Sequence, residues 1–523
     1  MTGEVGMTNK FLHHLTQDFT DKGLTVPSVA TAIAQNAARA PDKIAAEDSF
    51  RKVSYSTLRK RIHAAGTMAF REPLLADGQH CGILSKNRIE YIELIAGLPE
   101  ARIAATTINP LLSPHEILEI CNDARVKVLF VDPPNESAIS GVTFDSVEKV
   151  IVFGSQYEEW LAHAQDGPPL PGADQERPFT IPYTSGTTGK PKGVLVSMRS
   201  RVRTFSGMQS CYGCFGPDDR FLALAPMCHG AGLLFPLATV YFGGFARIMD
   251  AFDAEQVLRL LNEDSITGVF MVPTHFHRIM TLPDILLRKM SPYRHLRTVI
   301  SNAAPLSQEL KERIITYFGE GLLHETYGST EGGIVSNLQP ADQLRKFQCV
   351  GQAFPETEIS IRAENGAECA VGEIGELFSR SPYLFNGYWQ RDGETEQSIR
   401  DGWCTVGDLA RCDDEGYVYI VDRKKDMIIT GGINVYPREI EEILLRHTDI
   451  IDAAVVGLAD DKWGERIKAF VVTRDGAPPD DTELRNHCEK SLARFKVPGE
   501  FEAINQIPRN ASGKVLKTEL RKL

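Results

Sequence analysis

Between positions 81 and 132 the chain alternates two kinds of hydrophobic pattern. CGILS at 81–85, IAATTIN at 103–109 and VKVLFVD at 126–132 are short apolar runs of strand length. Between them, EYIELIAGLPEARI at 90–103 and HEILEICNDA at 115–124 repeat apolar residues at helical spacing. The second helix has a readable start: Ser113 as N-cap, Pro114 in the first helical position and Glu116 closing a capping box. Strand–helix–strand repetition predicts a parallel sheet covered by helices. The theme returns at 221–304, through FLALAP, ARIMD, VLRLLNED, TGVFMVP and RTVISNAA.

After about residue 350 the pattern shortens. TEISIRAENGAECAVGEIGELFSRS and YVYIVDRKKDMIIT read as short strands joined by polar turns, a β-rich subdomain. The last hundred or so residues read as a compact α+β unit, with a helix at PREIEEILLRH and strands at AAVVGLA and KAFVVTR. The expected class is therefore α/β: a large N-terminal domain of helix-covered, mostly parallel sheets plus the β-rich subdomain, then a small C-terminal domain.

Composition narrows the partners rather than the fold. Of 523 residues, 42% are hydrophobic and 24% charged, ordinary for a globular enzyme-sized chain. A net charge of −12 argues against a general nucleic-acid binder, which needs a basic footprint. No stretch reaches the roughly 20 apolar residues of a membrane-spanning helix, so no integral membrane association is expected. The N-terminal MTGEVGMTNKFLHHL lacks the basic-then-apolar plan of a signal peptide, which makes the cytoplasm the expected compartment. Cys211-x-x-Cys214 with Cys228-His229 loosely matches zinc-ligand spacing, but the Cys-His pair belongs to another motif, and reduced thiols are the preferred reading.

Chemistry enters with YTSGTTGKPKG at 183–193. It is not a Walker A loop: Thr184 stands where that motif needs glycine, and Pro191, not a hydroxyl residue, follows Lys190. The ingredients for phosphate are present all the same. Gly186 and Gly189 let backbone approach an anion, Thr184, Ser185, Thr187 and Thr188 add hydroxyl donors, and Lys190 and Lys192 add charge. A flexible linker has the same composition, so the loop alone does not decide. Four further motifs stand far away. HETYGSTEGG at 324–333 joins an aromatic, Tyr327, to Gly328, Thr330 and the carboxylate of Glu331. GWCTVGDLAR at 402–411 places Asp408 after a glycine, VDRKKDMIITGGINVYPREIE at 421–441 leads a basic cluster into Gly431-Gly432, and IPRNASGKVLKTELRKL at 507–523 presents Lys514.

In this order the motifs resemble the adenylate-forming superfamily, the acyl-CoA synthetases and adenylation enzymes. TSGTTGKPKG at 184–193 matches its signature loop, PMCHGAG at 226–232 its P-x-x-H-x-x-G element and AAPL at 303–306 its adenine-contacting region. YGSTE, VGDL, DRKKD, GGIN and the final G-K complete a resemblance over roughly 40–520. The resemblance implies a ligase that uses ATP and Mg²⁺ to turn a carboxylic acid into an acyl-adenylate and then passes the acyl group to CoA. It also implies roles. The signature loop holds the departing phosphates, Lys514 bridges carboxylate and α-phosphate, Thr330 donates to the α-phosphate and Glu331 carries Mg²⁺. Tyr327, with Ala303, Ala304 and Gly328, holds adenine, and Asp408 and Arg423 hold the ribose. Residues 1–422 would form the N-terminal domain, 423–426 a hinge centred on Lys425, and 427–523 a mobile lid whose Gly431-Gly432 turn reaches the thiol tunnel.

The chain also departs from the family pattern. Ser197-Met198 replaces the usual S/T-H, Asn302 and Ala303 stand where many members have Gly-Gly, and Thr326 replaces a glycine before Tyr327. By register His229, Ala231, Gly232, Phe235, Asn302 and Thr326 line the acyl pocket. Small residues at 231 and 232 leave room, and Asn302 and Thr326 add polarity, so the expected substrate is a medium-to-large hydrophobic or aromatic acid. Two alternatives stand beside CoA ligation: a stand-alone adenylation enzyme that loads a carrier-protein thiol, and a non-catalytic adenylate-binding sensor.

Overall fold

The computed structural model describes residues 26–164, 169–185, 191–460, 462–474, 476, 480–509 and 515–523. Contacts divide it into two units, residues 1–358 with 379–404, and residues 359–378 with 405–523.

The first unit contains two large sheets. One has nine strands, in the order Gln352–Ala353, Gly333–Leu338, Leu323–Ser329, Thr298–Ser301, Gly268–Met271, Arg220–Ala223, Phe245–Ile248, Ile44–Glu47 and Lys52–Ser54. Its pairs from Leu323–Ser329 through to Ile44–Glu47 are parallel, and antiparallel strands finish each edge. The other has six strands, in the order Val196–Ser197, Pro178–Thr180, Ala104–Ile108, His80–Leu84, Val126–Val131 and Lys149–Val152, parallel except for its first pair. The expected helix-covered parallel architecture is thus present. Ser113 and Glu116 form the reciprocal capping box read from the sequence, starting the helix Pro114–Asp123.

The stretch 90–103 differs from its expectation. The helix Ile89–Gly97 ends early, a 3₁₀ turn Leu98–Ala101 follows, and Arg102 adopts a left-handed φ of 60°. Every residue of Ile89–Gly97 is buried, Glu90 and Glu93 included. A helix enclosed on all sides must satisfy its charges internally. Here Arg51 and Arg61 reach Glu93 at 2.8 and 2.6 Å, and the Tyr157 hydroxyl donates to it at 3.1 Å.

The second unit holds the antiparallel pair Asp408–Cys412 with Val418–Arg423. It also holds a mixed sheet ordered Ile433–Val435, Ile428–Thr430, Gly464–Thr473 and Ile450–Asp460, with Glu500–Ala503 parallel to Gly464–Thr473. The helices Pro437–Leu444 and Asp481–Glu489 pack their apolar residues into its core. Among the described residues no helix is long and apolar enough to cross a membrane.

Candidate functional site

In a parallel sheet the loops that follow successive strands emerge along one edge, where ligands of such sheets bind. Three sequence motifs occupy that edge of the nine-stranded sheet. Residues 224–232 follow Arg220–Ala223, residues 302–306 follow Thr298–Ser301, and Tyr327 to Glu331 finish the strand Leu323–Ser329 and turn into Gly333–Leu338. Topology therefore collects residues that are a hundred positions apart in the chain.

The turn at 327–333 is tight. A Cβ on Gly328 would stand 2.1 Å from the Gly333 carbonyl oxygen, so only glycine fits. Gly332 N–H donates to Ser329 Oγ at 2.8 Å, with Thr330 between them. Tyr327 is half-buried, opposite Ser336 in the hairpin register. Glu331 is fixed twice: its carbonyl accepts the Phe385 N–H, and its Oε1 accepts the Tyr388 hydroxyl, both at 2.9 Å. Burial, reinforced by the Glu331 charge, pushes the Tyr388 phenol far above its ordinary value, so it stays a donor.

Tyr388 also meets the signature loop. Tyr183–Ser185 and Pro191–Gly193 form an antiparallel hairpin in which Thr184 faces Lys192. The Lys192 ammonium lies 5.3 Å from the centre of the Tyr388 ring and pairs with Glu394. The strand leaving the loop is stitched to 386–389: Trp389 N–H donates to Gly193 O, Leu195 N–H to Gly387 O, and Asn386 N–H to Leu195 O, at 2.7–2.9 Å. The segment FNGYW at 385–389, not singled out in the sequence, thus joins the loop stem to Glu331. Its signal was a Gly-Tyr pair ahead of the polar stretch 390–396. Gly186, Thr187, Thr188, Gly189 and Lys190 at the loop tip, and Lys514, lie outside the described residues, and Ser185 is placed by its backbone alone.

Ala303 adopts φ 77°, an unusual left-handed conformation for a residue with a side chain, and its N–H is capped by the Asn302 side-chain oxygen. Asn302 thereby spends its carbonyl on the loop. Ala304 is half-buried beside it. The remaining pocket residues fall into two groups. His229 and Ala231 are half-buried at the start of the helix Gly230–Tyr241. The Asn109 amide donates to His229 Nε2 at 3.3 Å, and burial lowers the imidazole pKa, which favours the neutral ring. Gly232, Phe235 and Thr326 are packed more deeply. A Cβ on Gly232 would stand 2.0 Å from the Pro226 carbonyl oxygen, so its smallness serves the strand-to-helix turn. Phe235 stacks between Phe221 and Phe270, with centroids at 5.5 and 4.6 Å. Thr326 shares a hydrogen bond with the Tyr212 hydroxyl at 3.0 Å, next to Asn337, whose amide reaches His324 Nδ1 at 3.1 Å.

In the second unit Asp408 is buried and faces Arg423 across the antiparallel register, 3.3 Å from its guanidinium. Lys424 N–H donates to Gly407 O at 2.8 Å, and Asp426 N–H to Arg423 O at 2.9 Å, so the exposed Lys425 sits in a turn. Residues 423–426 lie inside this unit. Gly431 and Gly432 form the exposed two-residue turn of a hairpin with φ of 58° and 78°, the left-handed pair that such turns require.

A hard dication held by one carboxylate and substrate phosphates suits Glu331: its oxygens are the right donor type, and Tyr388 fixes the carboxylate's orientation.

Comparison with known proteins agrees in both units. Residues 33–389 match the family model described as AMP-binding enzyme, and residues 439–514 match AMP-binding enzyme C-terminal domain. A 2-succinylbenzoate–CoA ligase of Bacillus cereus is 32% identical over 502 residues, covering 94% of this chain and 97% of the relative. A medium/long-chain-fatty-acid–CoA ligase of Mycobacterium tuberculosis is 32% identical over 470 residues, covering 85% and 81%. The solved o-succinylbenzoate CoA synthetase of Bacillus subtilis, in complex with its acyl-adenylate intermediate, superposes with a TM-score of 0.85 at 27% identity, covering 95% of this chain and 99% of that one.

Proposed function

This chain belongs to the AMP-binding enzyme family, and from that premise we propose that it is an AMP-forming acid–CoA ligase acting on a hydrophobic or aromatic carboxylic acid. The observation that carries the reading is the Lys192–Tyr388–Glu331 arrangement, which ties the phosphate-loop stem to the carboxylate expected to face the nucleotide.

In the first half-reaction a substrate carboxylate oxygen attacks the α-phosphorus of ATP, the bond to the β-phosphate oxygen breaks, and pyrophosphate leaves. Both reactants are anions, so the site must offset their repulsion and hold them in line. Mg²⁺ at Glu331 would neutralise phosphate charge when bound. Lys192 and the loop donors Thr184 to Lys190 receive the departing phosphates, Thr330 donates to the α-phosphate, and Lys514 bridges it to the incoming carboxylate. Tyr327 stacks on adenine against Ala303 and Ala304, while Asp408 and Arg423 hold the ribose hydroxyls. In the second half-reaction the CoA thiolate attacks the acyl carbon, the bond to the adenylate oxygen breaks, and AMP leaves. The Gly431-Gly432 turn gives a thin pantetheine arm room to pass close to backbone, with Lys425 as the hinge of a 427–523 lid.

The half-buried His229, Ala231 and Asn302 border the acyl group, and the stacked phenylalanines behind them favour an apolar or aromatic body. In this reading the enzyme works in the cytoplasm, a placement that cell fractionation checks.

The test is mass spectrometry of products from ATP, Mg²⁺ and a panel of acids, with and without CoA, for wild type and Lys514→Ala. AMP and acyl-CoA from wild type, with adenylation lost in the variant, is the expected result. Acyl-adenylate without CoA transfer would redirect the acceptor to a carrier-protein thiol. Preferential turnover of acetate over benzoate-sized and fatty acids would overturn the substrate class.

A further inference from the structure

The two segments assigned to adenine are gripped by one buried carboxylate. Glu325 lies two residues before Tyr327 on the strand Leu323–Ser329, and its parallel partner is Ser301, the root of the 302–306 loop. Glu325 Oε1 accepts the N–H of Leu306, at the far end of that loop, at 3.3 Å. Its other oxygen forms an ion pair with Lys311, on the helix Gln308–Phe318 that begins just after the loop. The two side chains are 6% and 1% exposed.

Taking two charges out of water is costly, and apolar residues of similar volume commonly stabilise a core as well. Stability alone is therefore a poor reason for a carboxylate and an ammonium here. The loop offers a better one. It must keep Ala303 at φ 77°, a conformation residues with side chains avoid, and it must stand at a set distance from Tyr327. A charged acceptor holding Leu306 N–H anchors the loop's end to the very strand that carries Tyr327, and Lys311 compensates the buried charge while tying in the helix.

We propose that Glu325 and Lys311 are positioning residues for the nucleotide base, setting the spacing between the Ala303–Ala304 wall and Tyr327. The proposal rests on the ligase reading above. Two double variants separate position from charge. Lys311→Met/Glu325→Leu removes the ion pair and the acceptor; Lys311→Met/Glu325→Gln removes the charges but leaves a side-chain oxygen for Leu306 N–H. For each, KM for ATP, acid and CoA, kcat, the ATP-over-GTP preference and the urea midpoint are measured. The expected result for the Met/Leu variant is an ATP KM raised about tenfold and a reduced ATP-over-GTP preference, with kcat, acid KM and CoA KM changed by less than about threefold. The Met/Gln variant should recover most of the ATP KM. Equal ATP KM in both variants, an unchanged ATP KM, or a uniform shift for all three substrates would overturn it. So would unfolding of the Met/Leu variant while Met/Gln keeps the wild-type midpoint, which marks a purely structural pair. A wild type that turns over no acid would instead sink the ligase reading, and this proposal with it; wild-type turnover with unaltered variants sinks this proposal alone.

Discussion

Gly232 and Gly328 in the first unit are enclosed by backbone, whereas Gly432 in the second stands in open space with φ 78°. The charged residues divide in the same way. Glu331 is held twice by the 385–388 segment, while Lys425 sits exposed in a turn closed by the Lys424 N–H on Gly407 O and the Asp426 N–H on Arg423 O. The difference teaches where each half of the chemistry gets its precision. In the first unit, backbone packed against Gly232 and Gly328, and the 385–388 segment bonded to Glu331, impose the conformation, so the walls of the proposed nucleotide site are preorganised. In the second, nothing crowds Gly432, and only its left-handed backbone calls for glycine there.

The sharpest way to break this comparison is Glu331→Gln. The amide oxygen can still accept from Tyr388, so the fold should persist, while adenylation falls about 10²–10³-fold. Single-turnover AMP formation checks it, and a rate within threefold of wild type would remove Glu331 from the chemistry. Next in size, Gly232→Ala should destabilise the first unit by about 3 kcal/mol or more, because a backbone oxygen occupies the Cβ site. Gly432→Ala should cost only the about 1–2 kcal/mol of a left-handed alanine and slow acyl transfer to CoA more than adenylation. Urea unfolding of both variants, with the half-reactions measured separately, tests the pair; equal stability losses would erase the contrast. Tyr388→Phe keeps the ring beneath Lys192 but deletes the hydroxyl on Glu331. It should raise the Mg²⁺ concentration needed for half-maximal adenylation about five- to tenfold, with a matching loss in Mn²⁺–ATP binding measured without acid.

A pH dependence is expected as well, and it is confined to acid. Burial lowers the His324 pKa from about 6.5 to about 4. The folded state thus favours the neutral ring more than the unfolded chain does. Its contribution is whole above pH 6.5 and is lost as pH falls from 6.5 towards 4, by about 3 kcal/mol in all. His324→Gln should flatten that part of the stability curve; parallel acid profiles would show that His324 does not carry it.

Much of the fold was legible because its signals are local. The apolar runs at 126–132 and 221–226 became parallel strands, and Ser113, Pro114 and Glu116 formed the capping box their spacing implied. The run 90–103 was misread as one helix because periodicity cannot show that a helix is enclosed on every side, nor that Arg102 reverses the chain. Within the candidate site, motif order names the residues proposed to carry the chemistry, but not what holds them. The Gly-Tyr pair that contains Tyr388 does not say what the hydroxyl meets, and its bond to Glu331 spans 57 positions.

Local composition, then, determined the α/β class, the order of the motifs and the Gly-Gly hairpin turn, since each depends on residues within a few positions of one another. Only the tertiary structure decided that Lys192, Tyr388 and Glu331 meet, that Trp389 N–H reaches Gly193 O, and that Glu325 holds the Leu306 N–H. Those facts depend on which distant backbone occupies a given few ångströms. That occupancy is settled when parallel strands bring their C-terminal ends to one edge, and no window of the chain records it.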